Sequence, residues 1–138
     1  MFNSFLKMKW FLASVLLGYT GLLVYLSHIP GKKISYANLF PHSDKLWHLL
    51  FFGALALVAH HALKAWTAVR LTELWAWIYV AIFGIGDEWM QTFVPRRYAD
   101  VMDWVADISG AALFLWIANR LEQRLQQDNP APPDPNDP

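Results

Sequence analysis

Residues 10–27 (WFLASVLLGYTGLLVYLS) run without a single charged side chain, and a bilayer core is crossed by about 20 such residues. Three more segments have the same character. Residues 46–63 carry only histidines among ionisable groups, 74–94 are apolar along the helix axis except for Asp87 and Glu88, and 101–118 are interrupted only by Asp103 and Asp107. The segments run from Trp10 to Ser27, Leu46 to Leu63, Leu74 to Val94 and Val101 to Ala118. With short polar connectors between them, they predict an all-α integral membrane bundle of four transmembrane helices. A soluble bundle would need helices that are apolar all round, which is the weaker alternative. Lys7 and Lys9 before the first segment could mark a cleaved signal peptide. The apolar run is long for that, and no small-residue cleavage site follows at Ser27-His28-Ile29-Pro30, so an uncleaved first helix is expected.

The chain has 138 residues, enough for one domain, and its charges balance at +0. Neutrality leaves no electrostatic footprint for nucleic acid, so none is expected as a partner; membrane lipids are. With no Cys, disulfides, thiolate nucleophiles and Cys-ligated metal centres are excluded. The domain is expected to span 1–126. Residues 127–138, mostly Pro, Asp and Asn, cannot bury a core and are expected to be a disordered tail. Tryptophans 10, 47, 75, 77, 89, 104 and 116 fall near segment ends, as an aromatic belt would. The first connector, with Pro30-Gly31 and Lys32-Lys33, reads as an ordered interfacial loop. His60 and His61 read as interfacial side chains, and Gly18, Gly21, Gly53, Gly84 and Gly86 as points of close helix approach. Six basic residues on the terminal side against five on the other barely favour termini inside. A homodimer is plausible for so thin a bundle, although no GxxxG motif specifies one.

Ionisable residues at membrane depth are rare unless partnered or lining a wet cavity. Here they cluster. Asp44, Lys45 and His48 open the second segment, Glu88 and Gln91 close the third, Arg96 and Arg97 occupy the turn, and Asp103 and Asp107 begin the fourth. Asp44 and His48 are four apart and could pair on one helix face. Asp100, Asp103, Asp107 and Gly110 share a face of the last helix, with Asp100 placed to cap it. At a rise of about 1.5 Å per residue, an up-down bundle brings His48, Glu88, Asp103 and Asp107 within about 10 Å of one end.

Such a cluster suits three kinds of chemistry. Arg96 and Arg97 fit a phosphate or carboxylate on a lipid headgroup. Crowded carboxylates with His48 fit acid–base catalysis on a lipid-linked substrate, Glu88 acting as base with His48 or Asp103 as partner. His, Glu and two Asp could also ligate a hard divalent ion, but the spacing matches no recognised ligand signature, and neither metal nor cofactor is assigned. Proton-coupled transport is disfavoured, because the carboxylates gather near one face rather than the midplane. The purely structural alternative is a mutually satisfied salt-bridge network.

Asp44-Lys45-x-x-His48, then Glu88-x-x-Gln91-x-Phe93-x-Pro95-x-Arg97, then Asp103 with small residues at Ala106 and Gly110, resembles the VanZ-like membrane protein family over about residues 44–117. The resemblance implies a small polytopic protein of the bacterial cytoplasmic membrane. The family is named for a role in resistance to the glycopeptide teicoplanin, and an envelope lipid or lipid-linked precursor becomes the expected partner. Three positions depart from the family pattern. Arg96 stands where Gly is usual, Asp107 where Asn is usual, and Phe114 where a second Gly is usual. Asp107 is expected to answer the added charge of Arg96.

Overall fold

In a computed structural model, which describes residues 2–29, 43–68 and 70–128, the chain forms four helices. They are α1 (Phe2–Ser27), α2 (Ser43–Trp66), α3 (Thr72–Gln91) and α4 (Val101–Asp128). Leu6–Ser27, Ser43–Trp66 and Val101–Asp128 are long and apolar enough to cross a membrane. At 20 residues α3 also has the length, but it carries Glu73, Asp87 and Glu88.

Six of the eight helix ends depart from the apolar runs; α2 begins at Ser43 and ends at Trp66, and α3 begins at Thr72. α1 begins eight residues before Trp10. α3 stops at Gln91 rather than Val94, because the amides of Thr92, Phe93 and Val94 turn back to the carbonyls of Trp89, Met90 and Gln91. Those bonds span three residues instead of four, and Pro95 then prevents the helix from resuming. α4 runs ten residues past Ala118, since Arg120, Leu121, Glu122, Gln123 and Arg124 are good helix formers in water as well as in lipid. Gln127 and Asp128 are therefore helical, contrary to the expected tail; the rest of that tail and the loop at 30–42 lie outside the described residues.

Polarity is inverted relative to a water-soluble bundle. Trp10, Phe11, Leu17, Tyr25, Ile82 and Trp116 are exposed, while Asp87, Glu88, Gln91, Asp103 and Asp107 are buried. Lipid is as apolar as these side chains, so helix association there depends on close packing rather than on water exclusion. Accordingly the core is rich in small residues: Ala56, Ala59, Ala76 and Ala111 sit with Leu23, Phe52, Leu55, Val80 and Leu115. The most extensive interface joins α2 to α4, which run parallel. A side chain on Gly110 would collide with the Leu49 backbone, and one on Gly53 would lie 2.6 Å from the Phe114 ring. Phe114 thus fills against Gly53 the space that the family pattern leaves to a second Gly. Gly18, Gly21 and Gly86 instead face open space.

Two indoles lock α3 to α4. Trp77 donates to the Ile108 carbonyl and Trp104 to that of Ala81, both at 3.0 Å. These two tryptophans pin the bundle interior; Trp10, Trp75, Trp89 and Trp116 are exposed as a belt requires. At the end away from the carboxylates, Lys64 meets Glu122 at 3.0 Å, and buried His60 meets Thr72 through Nδ1 at 3.2 Å. His60 is a partnered core residue, unlike exposed His61.

Candidate functional site

The up-down path places the C-terminal ends of α1 and α3 beside the N-terminal ends of α2 and α4. Each end has unsatisfied backbone groups, and the polar side chains attend to them. Asp100 caps α4, its Oδ1 accepting the Met102 amide at 2.8 Å. The Asp100 amide donates to Glu88 Oε2 at 2.7 Å, so a carboxylate from α3 does what the third residue of a capping box does within one helix.

Arg96 adopts a left-handed conformation, with φ 65°. That backbone favours glycine, which gives the family's usual residue at this place a physical reason. The turn sends Arg96 outward, exposed and away from the cluster, and brings Arg97 under the end of α1. Arg97 donates to the carbonyls of Ile29 at 3.2 Å and Leu26 at 3.4 Å, and to Gln91 Oε1 at 3.2 Å. All three partners are neutral. Among the described residues this guanidinium has no ion pair.

Lys45 takes the carboxylates instead. Its ammonium lies 2.6 Å from Asp100 Oδ2, 2.8 Å from Asp103 Oδ1 and 3.6 Å from Asp44 Oδ2. The hydrogen bond from Lys45 holds the Asp100 carboxyl below its ordinary pKa, and the Met102 amide pulls the same way. His48 does not pair with Asp44. It crosses to α4, Nδ1 to Asp107 Oδ1 at 2.9 Å, with Nε2 3.8 Å from Asp103 Oδ2. Asp107 therefore answers His48, not Arg96. Asp44 stays exposed in the first turn of α2, where a negative charge favours the helix dipole.

The sequence marks Asp87 as a break in the apolar run without giving it a place among the candidate site residues. Asp87 is buried and accepts from Gln91 Nε2 at 3.0 Å, while its Oδ1 has no hydrogen-bond partner. Adjacent helical residues point about 100° apart, so burial of both Asp87 and Glu88 needs two neighbouring elements, which no single-helix pattern displays. Asp100, expected as a cap on the face it shares with Asp103 and Asp107, also joins the Lys45 network. Among the described residues, His48, Glu88 and Asp103 form a group able to hold a metal ion.

A cavity of about 360 Å³ opens beside this network, between α1 and α2. Leu23, Leu26, Phe51 and Phe52 supply apolar wall, and Arg97, Gln91, His48 and Asp44 its polar end. It is shaped for something amphiphilic.

These features define a class: a multi-pass helical membrane protein whose buried carboxylates are gathered at one end of a four-helix bundle. Within that class the chain belongs to the VanZ/LLP1 family, whose model matches residues 4–122. The chain is also similar to an uncharacterised protein of the fission yeast Schizosaccharomyces pombe, 32% identical over 93 residues. That match covers 63% of this chain and 57% of the yeast protein, so the chain spans little more than half the length of this curated relative. No solved structure matches.

Proposed function

We propose that this VanZ/LLP1-family protein binds the anionic headgroup of a membrane lipid, with Arg97 as the recognising charge. The observation that supports this reading most is the state of Arg97. It lines the polar end of an otherwise apolar cavity and makes only neutral contacts, although four buried carboxylates stand in the same end of the bundle. A guanidinium kept from carboxylates at membrane depth is available to a phosphate or carboxylate, which it grips with two parallel N–H donors. Leu23, Leu26, Phe51 and Phe52 then accept the first part of an acyl or isoprenoid chain. In a bacterial cytoplasmic membrane the ligand would be an envelope lipid or lipid-linked precursor, the reading that connects with glycopeptide resistance.

The purely structural reading accounts for the Lys45 network but leaves Arg97 without a counter-charge. Native mass spectrometry of the detergent-purified chain, wild type and Arg97→Gln, distinguishes the two. Anionic phospholipid should be retained by the wild type. A charged hydrogen bond contributes roughly 1.5–3 kcal/mol, so retention should fall about ten- to a hundredfold in the variant. Equal retention of anionic and zwitterionic lipid by both proteins, with similar melting temperatures, would overturn the proposal.

A further inference from the structure

We infer that His48, Glu88 and Asp103 form a binding site for one divalent transition-metal ion, of the Mn²⁺ or Zn²⁺ type. The three residues come from α2, α3 and α4, and one donor atom of each lies within 4.8 Å of the other two. Their remaining bonds decide which atoms are left over. His48 commits Nδ1 to Asp107, which leaves Nε2 facing Asp103 Oδ2 at 3.8 Å, too far for a hydrogen bond. Asp103 commits Oδ1 to Lys45. Glu88 commits Oε2 to the Asp100 amide, and its Oε1 has Gln91 only at 3.5 Å. With the imidazole proton on Nδ1, the Nε2 lone pair and Asp103 Oδ2 face each other, and a Glu88 carboxylate oxygen completes the group within 4.8 Å. Asp107 fixes that tautomer from behind, which is the outer partner that metal-ligating histidines usually have.

A second observation, independent of the donor geometry, concerns charge. Asp87, Glu88, Asp103 and Asp107 are all buried, and Asp87 Oδ1 and Asp107 Oδ2 have no hydrogen-bond partner among the described residues. The nearest ammonium, Lys45, is already divided among Asp44, Asp100 and Asp103. Unpaired buried carboxylates are strongly unfavourable, and Arg97, also at this end, bonds only neutral groups among the described residues, so these carboxylates have no cation of their own. Asp107 holds His48 through Oδ1 while its Oδ2 is unpartnered, and the deficit therefore falls next to the imidazole of the group. One imidazole with two carboxylates suits Mn²⁺ or Zn²⁺ better than Mg²⁺ or Cu⁺. Metal–ligand bonds of about 2.1 Å would draw the donors to roughly 3–3.5 Å apart, so binding brings all three side chains slightly closer together. The site stands on these residues whether or not a lipid fills the cavity.

The test is a Mn²⁺ titration of the chelator-stripped, detergent-purified full chain, followed by electron paramagnetic resonance. One Mn²⁺ per chain is expected, with nitrogen coupling from a single imidazole. Glu88→Gln and Asp103→Asn should each weaken binding at least tenfold, and Glu122→Gln at the opposite end should not change it. His48→Gln should abolish the nitrogen coupling. Zn²⁺ should displace the bound Mn²⁺. Absence of bound Mn²⁺ at millimolar concentration in folded wild type, or equal binding in all four variants, would overturn the inference. Because Arg97 is intact in every one of these proteins, failure here is separable from failure of the lipid reading.

Discussion

Gly110→Ala tests the closest contact in the bundle. The added methyl would meet the Leu49 carbonyl, with Leu49 C at 2.8 Å and Cα at 2.9 Å. These are backbone atoms, so rotating a side chain cannot relieve the overlap; α2 and α4 must part by about 1 Å. Overpacking of this kind costs roughly 1–3 kcal/mol, equivalent to a loss of roughly 3–10 °C in Tm for a chain of this size. Leu49 is next to His48, and Gly110 is one turn after Asp107. The same displacement therefore stretches the 2.9 Å His48–Asp107 bond beyond hydrogen-bonding range. Gly86→Ala is the matched control. It has nothing within 4 Å, and alanine gains up to about 1 kcal/mol of helix propensity over glycine, so its Tm should stay level or rise. Thermal unfolding in detergent, followed by tryptophan fluorescence, measures both. Equal Tm changes in the two variants would refute the argument, because propensity alone would then account for them.

Two further outcomes follow from the ion pairs. The Asp100 carboxyl is held below its ordinary value by Lys45. Its contribution is present above the unfolded carboxylate pKa of about 4 and is lost as pH falls through the lower folded value. The Tm gap between wild type and Lys45→Met should therefore be constant from neutral pH down to about pH 5 and narrow below about pH 4; a gap that does not change with pH would contradict this. Lys64 and Glu122 pair with side chains 55% and 52% exposed. Lys64→Met should accordingly shift stability by no more than about 1 kcal/mol, and a larger loss in the same melting assay would show that this pair is shielded.

Much of this arrangement is legible in the sequence because membrane helices announce themselves by missing charge. The four segments and their convergence at one end need only length, polarity and an up-down path. Partnership is less legible. Spacing of four suggests that Asp44 and His48 pair, yet a same-helix contact competes with every group across the interface, and here Asp107 wins. Arg96 and Arg97 are neighbours of equal charge, and only the left-handed backbone at Arg96 decides which faces the cavity. The end of α3 is hidden for a similar reason, since Thr92, Phe93 and Val94 continue the apolar pattern while their hydrogen bonds already form a turn.

The polar end is assembled from all four helices, and this constrains the order in which the chain enters the membrane. When α1 and α2 have been inserted, Lys45 and His48 are present without the carboxylates they will bind. α3 arrives with Asp87 and Glu88; Asp87 meets Gln91 within the same helix, but the Asp100 amide that binds Glu88 has not yet been made. Alone in lipid, such a segment is costly to insert, by about 2.5 kcal/mol or more for a carboxylate near the helix centre, and less toward the ends. α3 and α4 therefore favour entering as a hairpin that closes on the waiting Lys45 and His48. The charges gathered at this end thus make the last two helices a single unit of biogenesis.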